Sequence, residues 1–201
     1  MTDSFADTFA ENGYLVMPGL LEPVLAAYLW QYLRMKGVYG LITHRDRAVP
    51  KAMSAYSDEA FEALLETVRP RIEVATGLSL HAAFSYVRLY RRGDTLRRHR
   101  DRPACEVTVS INLGQIPDVP WALHVSAKKD DAGHAAMLMP GDGLIYRGIE
   151  MFHWRDSYEG QQLGQVFLHY VDRNGPHAEH KYDRRARLML PRKGNYEPHD
   201  V

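Results

Sequence analysis

Hydrophobic residues recur at two different spacings along this chain, and the spacing changes near residue 78. Before that point, the apolar positions between Leu20 and Met35 lie three and four residues apart, which predicts a long amphipathic helix. After it, the segment from Cys105 to Leu113 alternates between apolar and polar residues, which predicts a strand with two distinct faces. The apolar face consists of Val107, Val109 and Ile111, and the polar face of Thr108, Ser110 and Asn112.

The first part of the chain, residues 1–77, is therefore expected to be mainly helical. The predicted elements are a helix over 5–12, a strand over 14–17, a helix over 20–35, a loop over 38–51 and one or two helices over 60–75. The last of these is expected to be interrupted at Pro70, because a proline inside a helix lacks the N–H donor. Gly13 and Gly77 are expected to end the helical segments that precede them.

The second part of the chain predicts short strands separated by turns. These strands lie over residues 84–90, 105–113, 121–126, 144–146 and 165–171. Strands repeated every ten or so residues are typical of a β-sandwich or barrel. We therefore expect one mainly β domain over 1–201 with flanking helices: a helical part to residue 77, a β core over 78–172 and a polar C-terminal extension over 173–201.

Composition narrows the class of protein. The chain has 201 residues, with 25 Lys and Arg and 25 Asp and Glu, so no net charge attracts nucleic acid or a membrane. No apolar run is long enough to cross a bilayer, and the opening Met-Thr-Asp-Ser lacks the features of a signal peptide. The single cysteine, Cys105, cannot form an internal disulfide. We expect a cytoplasmic protein whose oligomeric state the sequence leaves open.

A candidate metal site lies at His99-Arg100-Asp101. Residues two apart on an extended strand point to the same side, so the His99 imidazole and the Asp101 carboxylate could converge on one ion. Two histidines and one carboxylate on one face of a metal are the ligand set of non-haem Fe(II) oxygenases. The pattern His-Arg-Asp-Arg also occurs at 44–47, but only the second copy is followed by a long alternating strand.

The third ligand must come from farther along the chain. The candidates are His124, His134, His153, His169, His177 and His180. We favour His153, because the turn and strand over 140–148 could return the chain to the metal. His169 lies inside the last predicted strand, where a hydrogen-bonded core histidine is the more ordinary interpretation.

The order of these residues resembles a known family. Tyr-x-x-Gly-Asp-x-Leu-x-x-His-x-Asp from Tyr90 to Asp101, Pro-Gly-Asp-x-Leu-x-Tyr from Pro140 to Tyr146, and then His153, resemble the Fe(II)/2-oxoglutarate-dependent dioxygenases, in particular the prolyl-4-hydroxylase-like branch. The resemblance runs from about residue 9 to 172. It implies a double-stranded β-helix (jelly-roll) core with helices packed outside, and a metal centre of His99, Asp101 and His153.

The same resemblance implies the chemistry. Fe(II) would be the metal, 2-oxoglutarate and O2 the cosubstrates, and ascorbate a further candidate. Oxidation of 2-oxoglutarate to succinate and CO2 would accompany hydroxylation of a C–H bond in a small molecule or a peptide residue. The sequence does not name that substrate.

The far carboxylate of 2-oxoglutarate needs a cation, which the family commonly places at the start of the last core strand. Here Gln165 occupies that region and carries no charge. We assign the role to Arg155, two residues beyond His153 and so on the same side of an extended strand, since an Arg fork matches a carboxylate bidentately. Arg88 is the rival, and Tyr90 and Asn112 could contact the same cosubstrate.

Two other functions remain open. The first is a jelly-roll metal dioxygenase that does not use 2-oxoglutarate, for which the missing cation at Gln165 is the main support. The second is a non-catalytic binding or sensing module, against which three intact ligands argue. The basic C-terminal residues are mixed with acids and do not favour nucleic acid as a partner.

Overall fold

The computed structural model describes residues 4–42, 46, 48–117 and 119–190. Residues 44, 45 and 47 of the earlier His-Arg-Asp-Arg copy therefore lie outside the described residues, as do Arg192 and Lys193 among the basic C-terminal residues. The helices are α1 (Phe5–Asn12), α2 (Pro23–Val38) and α3 (Glu59–Thr76). The strands are β1 (Tyr14–Met17), β2 (Met53–Tyr56), β3 (Leu80–Arg91), β4 (Leu96–His99), β5 (Val107–Ile116), β6 (Leu123–Ser126), β7 (His134–Ala136), β8 (Gly143–Arg147), β9 (Phe152–Arg155) and β10 (Gln162–Asp172).

The strands form two antiparallel sheets. The large sheet has the order β1-β8-β5-β10-β3-β2, and the small sheet the order β4-β9-β6-β7. Strands adjacent in a sheet are mostly distant in sequence, as in a jelly roll. The expected mainly β architecture with flanking helices is confirmed.

Local sequence explains where the helices begin and end. Ser4 and Asp7 form a reciprocal capping box at the start of α1, and Gly13 ends it in the left-handed conformation at φ 75°. Asp58 caps α3, which runs through Pro70 without the expected interruption. Since Pro70 removes only one backbone hydrogen bond, burial of the apolar face of α3 against the sheet is enough to keep the helix continuous.

Strand boundaries differ from expectation both at the sheet edges and within the large sheet. The short strands β2 and β7 lie in segments whose sequence does not alternate clearly, and β3 begins at Leu80, four residues earlier than expected. Strands at such edges are defined by pairing with a neighbour rather than by an apolar pattern. The described part of the polar extension, residues 173–190, packs onto the molecule through buried Arg185, which forms an ion pair with Glu62 of α3.

The large sheet has an apolar outer face that the helices cover. Val87, Val109, Ile111, Val166 and Leu168 belong to one buried cluster with residues of all three helices. Alternate residues of the same strands point to the other sheet, and many of them are polar. Thr108, Ser110, Asn112, Gln165 and His169 are each at most 1% exposed. The interior between the two sheets is therefore a buried polar site walled by β-strands.

Two paired glycines let α2 approach the outer face of the large sheet. Gly114 of β5 lies opposite Gly164 of β10, and the Trp30 indole of α2 packs over both. A Cβ atom added at Gly164 would lie 2.6 Å from the Trp30 ring, and one at Gly114 equally close.

We expect Gly164→Ala to lower the free energy of unfolding by about 1–3 kcal/mol, the usual cost of overpacking a close-packed core. The measurement is urea denaturation. Combining the change with Trp30→Leu should recover part of the loss, because the smaller side chain leaves room for the methyl group. Additive losses in the double variant would contradict this account of the contact.

Candidate metal centre

The pairing of β4 with β9 brings two histidines face to face. His99 is the register partner of His153, and their ring centroids are 4.1 Å apart. Asp101 lies just beyond the end of β4, where its backbone N–H donates to the carbonyl of Gly148 at 2.9 Å. Its Oδ1 is 3.6 Å from Nε2 of His99 and 3.3 Å from Nε2 of His153. The structure thus brings together the three residues expected to bind a metal, with ligand atoms all within 4.8 Å of one another.

Backbone carbonyls fix the orientation of both imidazoles. Nδ1 of His99 lies 2.7 Å from the carbonyl of Arg97, and Nδ1 of His153 lies 3.2 Å from the carbonyl of Met151. Each Nδ1 then carries the proton and donates it to the carbonyl, which leaves the Nε2 lone pair directed at the shared centre. This is the arrangement that metal-ligating histidines adopt in proteins.

The protonation states suit a cation at this centre. Burial, together with the neighbouring His153, lowers the pKa of His99 to about 4. Burial alone would raise the pKa of Asp101, but the imidazoles of His153 and His99 outweigh it and hold the pKa well below the usual range. The neutral His99 imidazole and the ionised Asp101 carboxylate are therefore available near neutral pH. Together with the imidazole of His153 they form a donor set that fits a divalent transition metal.

Arg155 extends the site deeper between the sheets. Its guanidinium donates to the carbonyl of Trp121 at 2.8 Å and to Oε1 of Gln165 at 3.1 Å, while its Nε has no hydrogen-bond partner among the described residues. Gln165 in turn donates to Ser110 at 2.7 Å. Burial lowers the pKa of Arg155. No carboxylate in the described chain pairs with this buried cation.

Arg88, the rival cation, has a different environment. Its guanidinium forms a buried ion pair with Asp46 and lies 3.4 Å from the Tyr90 hydroxyl. Tyr90 is fully buried and packs edge-on against Trp121 at 5.0 Å. The charge of Arg88 is therefore neutralised within the protein.

The other predicted residues lie around this centre. Asn112 is on the polar face of β5, where its amide N–H donates to Gln115 and to the carbonyl of Leu138, and its buried Oδ1 has no partner among the described residues. His124 stacks on Trp154 at 4.9 Å, and His134 stacks on Tyr14 at 5.2 Å. Neither belongs to a group of potential ligands found in the described chain.

Two residues close to Asp101, Thr108 and Gly148, were not identified from the sequence as part of the candidate centre. The Thr108 hydroxyl lies 3.0 Å from Oδ2 of Asp101, and a Cβ atom added at Gly148 would lie 2.7 Å from the same oxygen. The alternation of β5 placed Thr108 on the polar face, but no local pattern links it to Asp101. Nothing in the sequence around Gly148 indicates that a carboxylate approaches it so closely.

A cavity of about 490 Å³ opens beside the candidate ligands. It is lined by His99 itself and by residues 48–51, 93–97 and 100. Its charged side chains are Lys51, Asp94, Arg97 and Arg100. The cavity therefore reaches the His99 edge of the candidate centre.

Solved structures share this architecture. A prolyl-4-hydroxylase from Pseudomonas putida matches with a TM-score of 0.67 and 19% identity, over 85% of this chain and 98% of that chain. The α-ketoglutarate-dependent epimerase SnoN of nogalamycin biosynthesis matches with a TM-score of 0.68 and 14% identity, over 84% and 81%. A prolyl hydroxylase from Trichoplax adhaerens, in complex with a hypoxia-inducible-factor peptide, matches with a TM-score of 0.60 and 16% identity, over 84% and 87%.

The chain has the fold of the 2-oxoglutarate and iron oxygenases. No protein-family model and no curated protein matches the sequence. Because the structural neighbours include hydroxylases and an epimerase, the shared fold does not select one reaction. No helix in the described part of the chain has the length and apolar character needed to span a bilayer.

We expect His99→Ala and His153→Ala to lose Mn(II) binding at concentrations that saturate the wild type, because each removes one of three convergent donors. Titration of free Mn(II) by electron paramagnetic resonance measures this directly. His124→Ala is the matched control, a histidine from the adjoining strand β6. Wild-type affinity in either ligand variant would contradict the assignment.

Proposed function

We propose that this protein is an Fe(II)- and 2-oxoglutarate-dependent oxygenase that hydroxylates a C–H bond of a small molecule or a peptidyl residue, forming succinate and CO2 from 2-oxoglutarate. The observation that carries the proposal is the presence of two features in one buried interior. One is the convergent set His99, Asp101 and His153. The other is Arg155, a buried cation without an acidic partner in the described chain.

The donor set supports a ferrous ion. Two imidazole nitrogens and one carboxylate oxygen on one side of a metal leave positions for further ligands on the other side. When bound there, iron and 2-oxoglutarate supply the activation of O2 that the protein's own side chains cannot provide. The protein holds the ligand atoms in place, keeps His99 neutral and keeps Asp101 ionised.

The environment of Arg155 supports an anionic cosubstrate. A buried charge is costly unless a counter-charge and hydrogen bonds compensate it. The carbonyl of Trp121 and the amide of Gln165 supply acceptors, but neither supplies negative charge. The distal carboxylate of 2-oxoglutarate would supply it, and a guanidinium binds a carboxylate through two parallel hydrogen bonds.

The same contact weakens the alternative of a metal dioxygenase that does not use 2-oxoglutarate. That alternative rested on the uncharged Gln165 near the start of the last core strand. Since the Arg155 guanidinium donates to Oε1 of Gln165, the cation from β9 lies beside the position where the family commonly has one on β10. A cation from the strand β9 can therefore bind the distal carboxylate of 2-oxoglutarate in place of a cation on β10.

The cavity beside His99 supports a substrate that carries negative charge. Lys51, Arg97 and Arg100 line it together with one acid, Asp94. The Asp94 carboxylate is largely buried and accepts the backbone N–H of Arg91 at 2.7 Å, so it is directed away from the solvent. The exposed residues Arg97 and Arg100 line the cavity and favour a carboxylate or phosphate on the substrate.

We expect Arg155→Gln to raise the 2-oxoglutarate concentration for half-maximal succinate formation roughly 10- to 100-fold, since a hydrogen bond to a charged group contributes about 1.5–3 kcal/mol. Mn(II) affinity should be unchanged, and Arg155→Lys should recover part of the loss. Arg91→Gln, an exposed arginine of β3, is the control. If Arg88→Lys weakens 2-oxoglutarate use while Arg155→Gln does not, Arg88 rather than Arg155 binds the distal carboxylate.

The charge of the substrate cavity is tested with phenyl phosphate and with benzyl alcohol, its neutral analogue. With Mn(II) and 2-oxoglutarate bound, the metal should enhance nuclear relaxation of phenyl phosphate more than that of benzyl alcohol. Arg97→Gln combined with Arg100→Gln should weaken this binding roughly 2- to 30-fold, since each of the two exposed ion pairs that are lost contributes about 0.2–1 kcal/mol.

The matched control is Arg91→Gln combined with Arg92→Gln, which removes the same charge from the end of β3 and the turn that follows it. An equal effect of both double variants would mean that only the general field attracts the anion. Equal relaxation of the two probes would exclude charge selection at the cavity.

A further inference from the structure

Two side chains, Thr108 of β5 and His169 of β10, form a short series of hydrogen bonds that ends at the candidate metal ligand Asp101. The Thr108 hydroxyl lies 3.0 Å from Oδ2 of Asp101 and 3.1 Å from Nδ1 of His169. His169 is 1% exposed and stacks on Phe84 with ring centroids 4.3 Å apart. Its Nε2 has no hydrogen-bond partner among the described residues. The resemblance and the fold assign no role to either Thr108 or His169.

The available donors determine which group donates and which accepts in each of these hydrogen bonds. A threonine hydroxyl has one hydrogen to donate, and Oδ2 of Asp101 is an ionised acceptor that attracts it more strongly than a neutral nitrogen does. The Thr108 oxygen then accepts, so Nδ1 of His169 carries the proton. The opposite direction would place an N–H at the buried Nε2 without an acceptor and leave Oδ2 without a donor. Leaving a bare nitrogen at Nε2 is the smaller cost.

The consequence concerns the two oxygens of Asp101. Oδ1 faces His99 and His153, while Oδ2 accepts the Thr108 hydrogen bond. A carboxylate held in this way offers one oxygen to a metal. If Oδ2 were released, the group could rotate and offer both oxygens, which would occupy one more coordination position.

Packing reinforces the restraint. The backbone N–H of Asp101 donates to the carbonyl of Gly148, and the absence of a side chain at Gly148 leaves room for Oδ2 and for the Thr108 hydroxyl. The hydroxyl also lies 3.3 Å from the carbonyl of Cys105, which positions it beside the loop that carries Asp101.

We propose that Thr108 and His169 are positioning residues that hold Asp101 as a one-oxygen ligand and so keep coordination positions open for the cosubstrates. This inference rests on the proposed metal centre. His169 acts through Thr108, since among the described residues its Nδ1 is hydrogen-bonded to that hydroxyl and its Nε2 has no partner.

Two pairs of variants test the proposal. Thr108→Val removes the hydroxyl at nearly constant shape, and Thr108→Ser keeps it. His169→Leu removes the donor, and His169→Asn keeps an N–H near the position of Nδ1. The readouts are Mn(II) affinity, the visible absorption spectrum of the Co(II)-loaded protein, which reports coordination number, and the melting temperature without metal.

We expect Thr108→Val to weaken Mn(II) binding roughly 10- to 100-fold, the usual effect of losing a partner of a metal ligand. Its Co(II) spectrum should change, while Thr108→Ser should stay near the wild type in both readouts. His169→Leu should have a smaller effect that His169→Asn reverses. Thr108→Val combined with His169→Leu should match Thr108→Val alone, because the two residues act in series.

Three outcomes would overturn the proposal. One is wild-type metal affinity and an unchanged Co(II) spectrum in Thr108→Val. A second is a lower melting temperature without any spectral change, which would assign the pair a structural role only. The third is additive loss in the double variant. Failure of the proposed function is distinct from all three, because it is measured on the wild-type protein, which would then either bind no Mn(II) or bind it and form no succinate from 2-oxoglutarate.

Discussion

The register between β4 and β9 is the constraint on which the site depends. The same antiparallel pairing places His99 opposite His153 and Leu96 opposite Arg155. It therefore sets both the spacing of the two imidazoles and the depth of the buried cation behind them. Because side chains alternate along a strand, a slip of one residue would turn His153 and Arg155 to the outer face together. The candidate metal ligands and the buried Arg155 therefore belong to one structural unit.

The two faces of the large sheet have different roles: the outer face is packed against the helices, and the inner face carries the polar residues of the candidate site. Its outer face is apolar and packs against the helices, with Trp30 over the paired glycines Gly114 and Gly164. This burial is the dominant favourable contribution to folding. The inner face then carries buried polar groups, each of which is costly unless it is hydrogen-bonded. Pairs such as Gln165 with Ser110 meet that requirement.

Two buried arginines in the same interior have different electrostatic environments. Arg88 is neutralised by Asp46, which enters from the segment between α2 and β2. Arg155 contacts only uncharged acceptors within the described chain. This difference cannot be recognised from the position of either arginine in a sequence motif. It depends on the carboxylate of Asp46, which lies about forty residues before Arg88. The unneutralised cation is the one available to an anionic ligand.

The sequence by itself determined the fold class, the first helix and strand, and the hypothesis of a metal centre at His99, Asp101 and His153. Periodicity and helix caps are local features, so they can be recognised in the sequence alone. The spacing of the candidate ligands could be recognised because it resembles that of a known family. The edge strands β2 and β7, the continuity of α3 through Pro70 and the contacts of Thr108, Gly148 and His169 were decided only by the tertiary structure. These features arise from strand pairing and from contacts between distant segments. Their energies depend on which groups meet in the folded interior, and no local pattern records that.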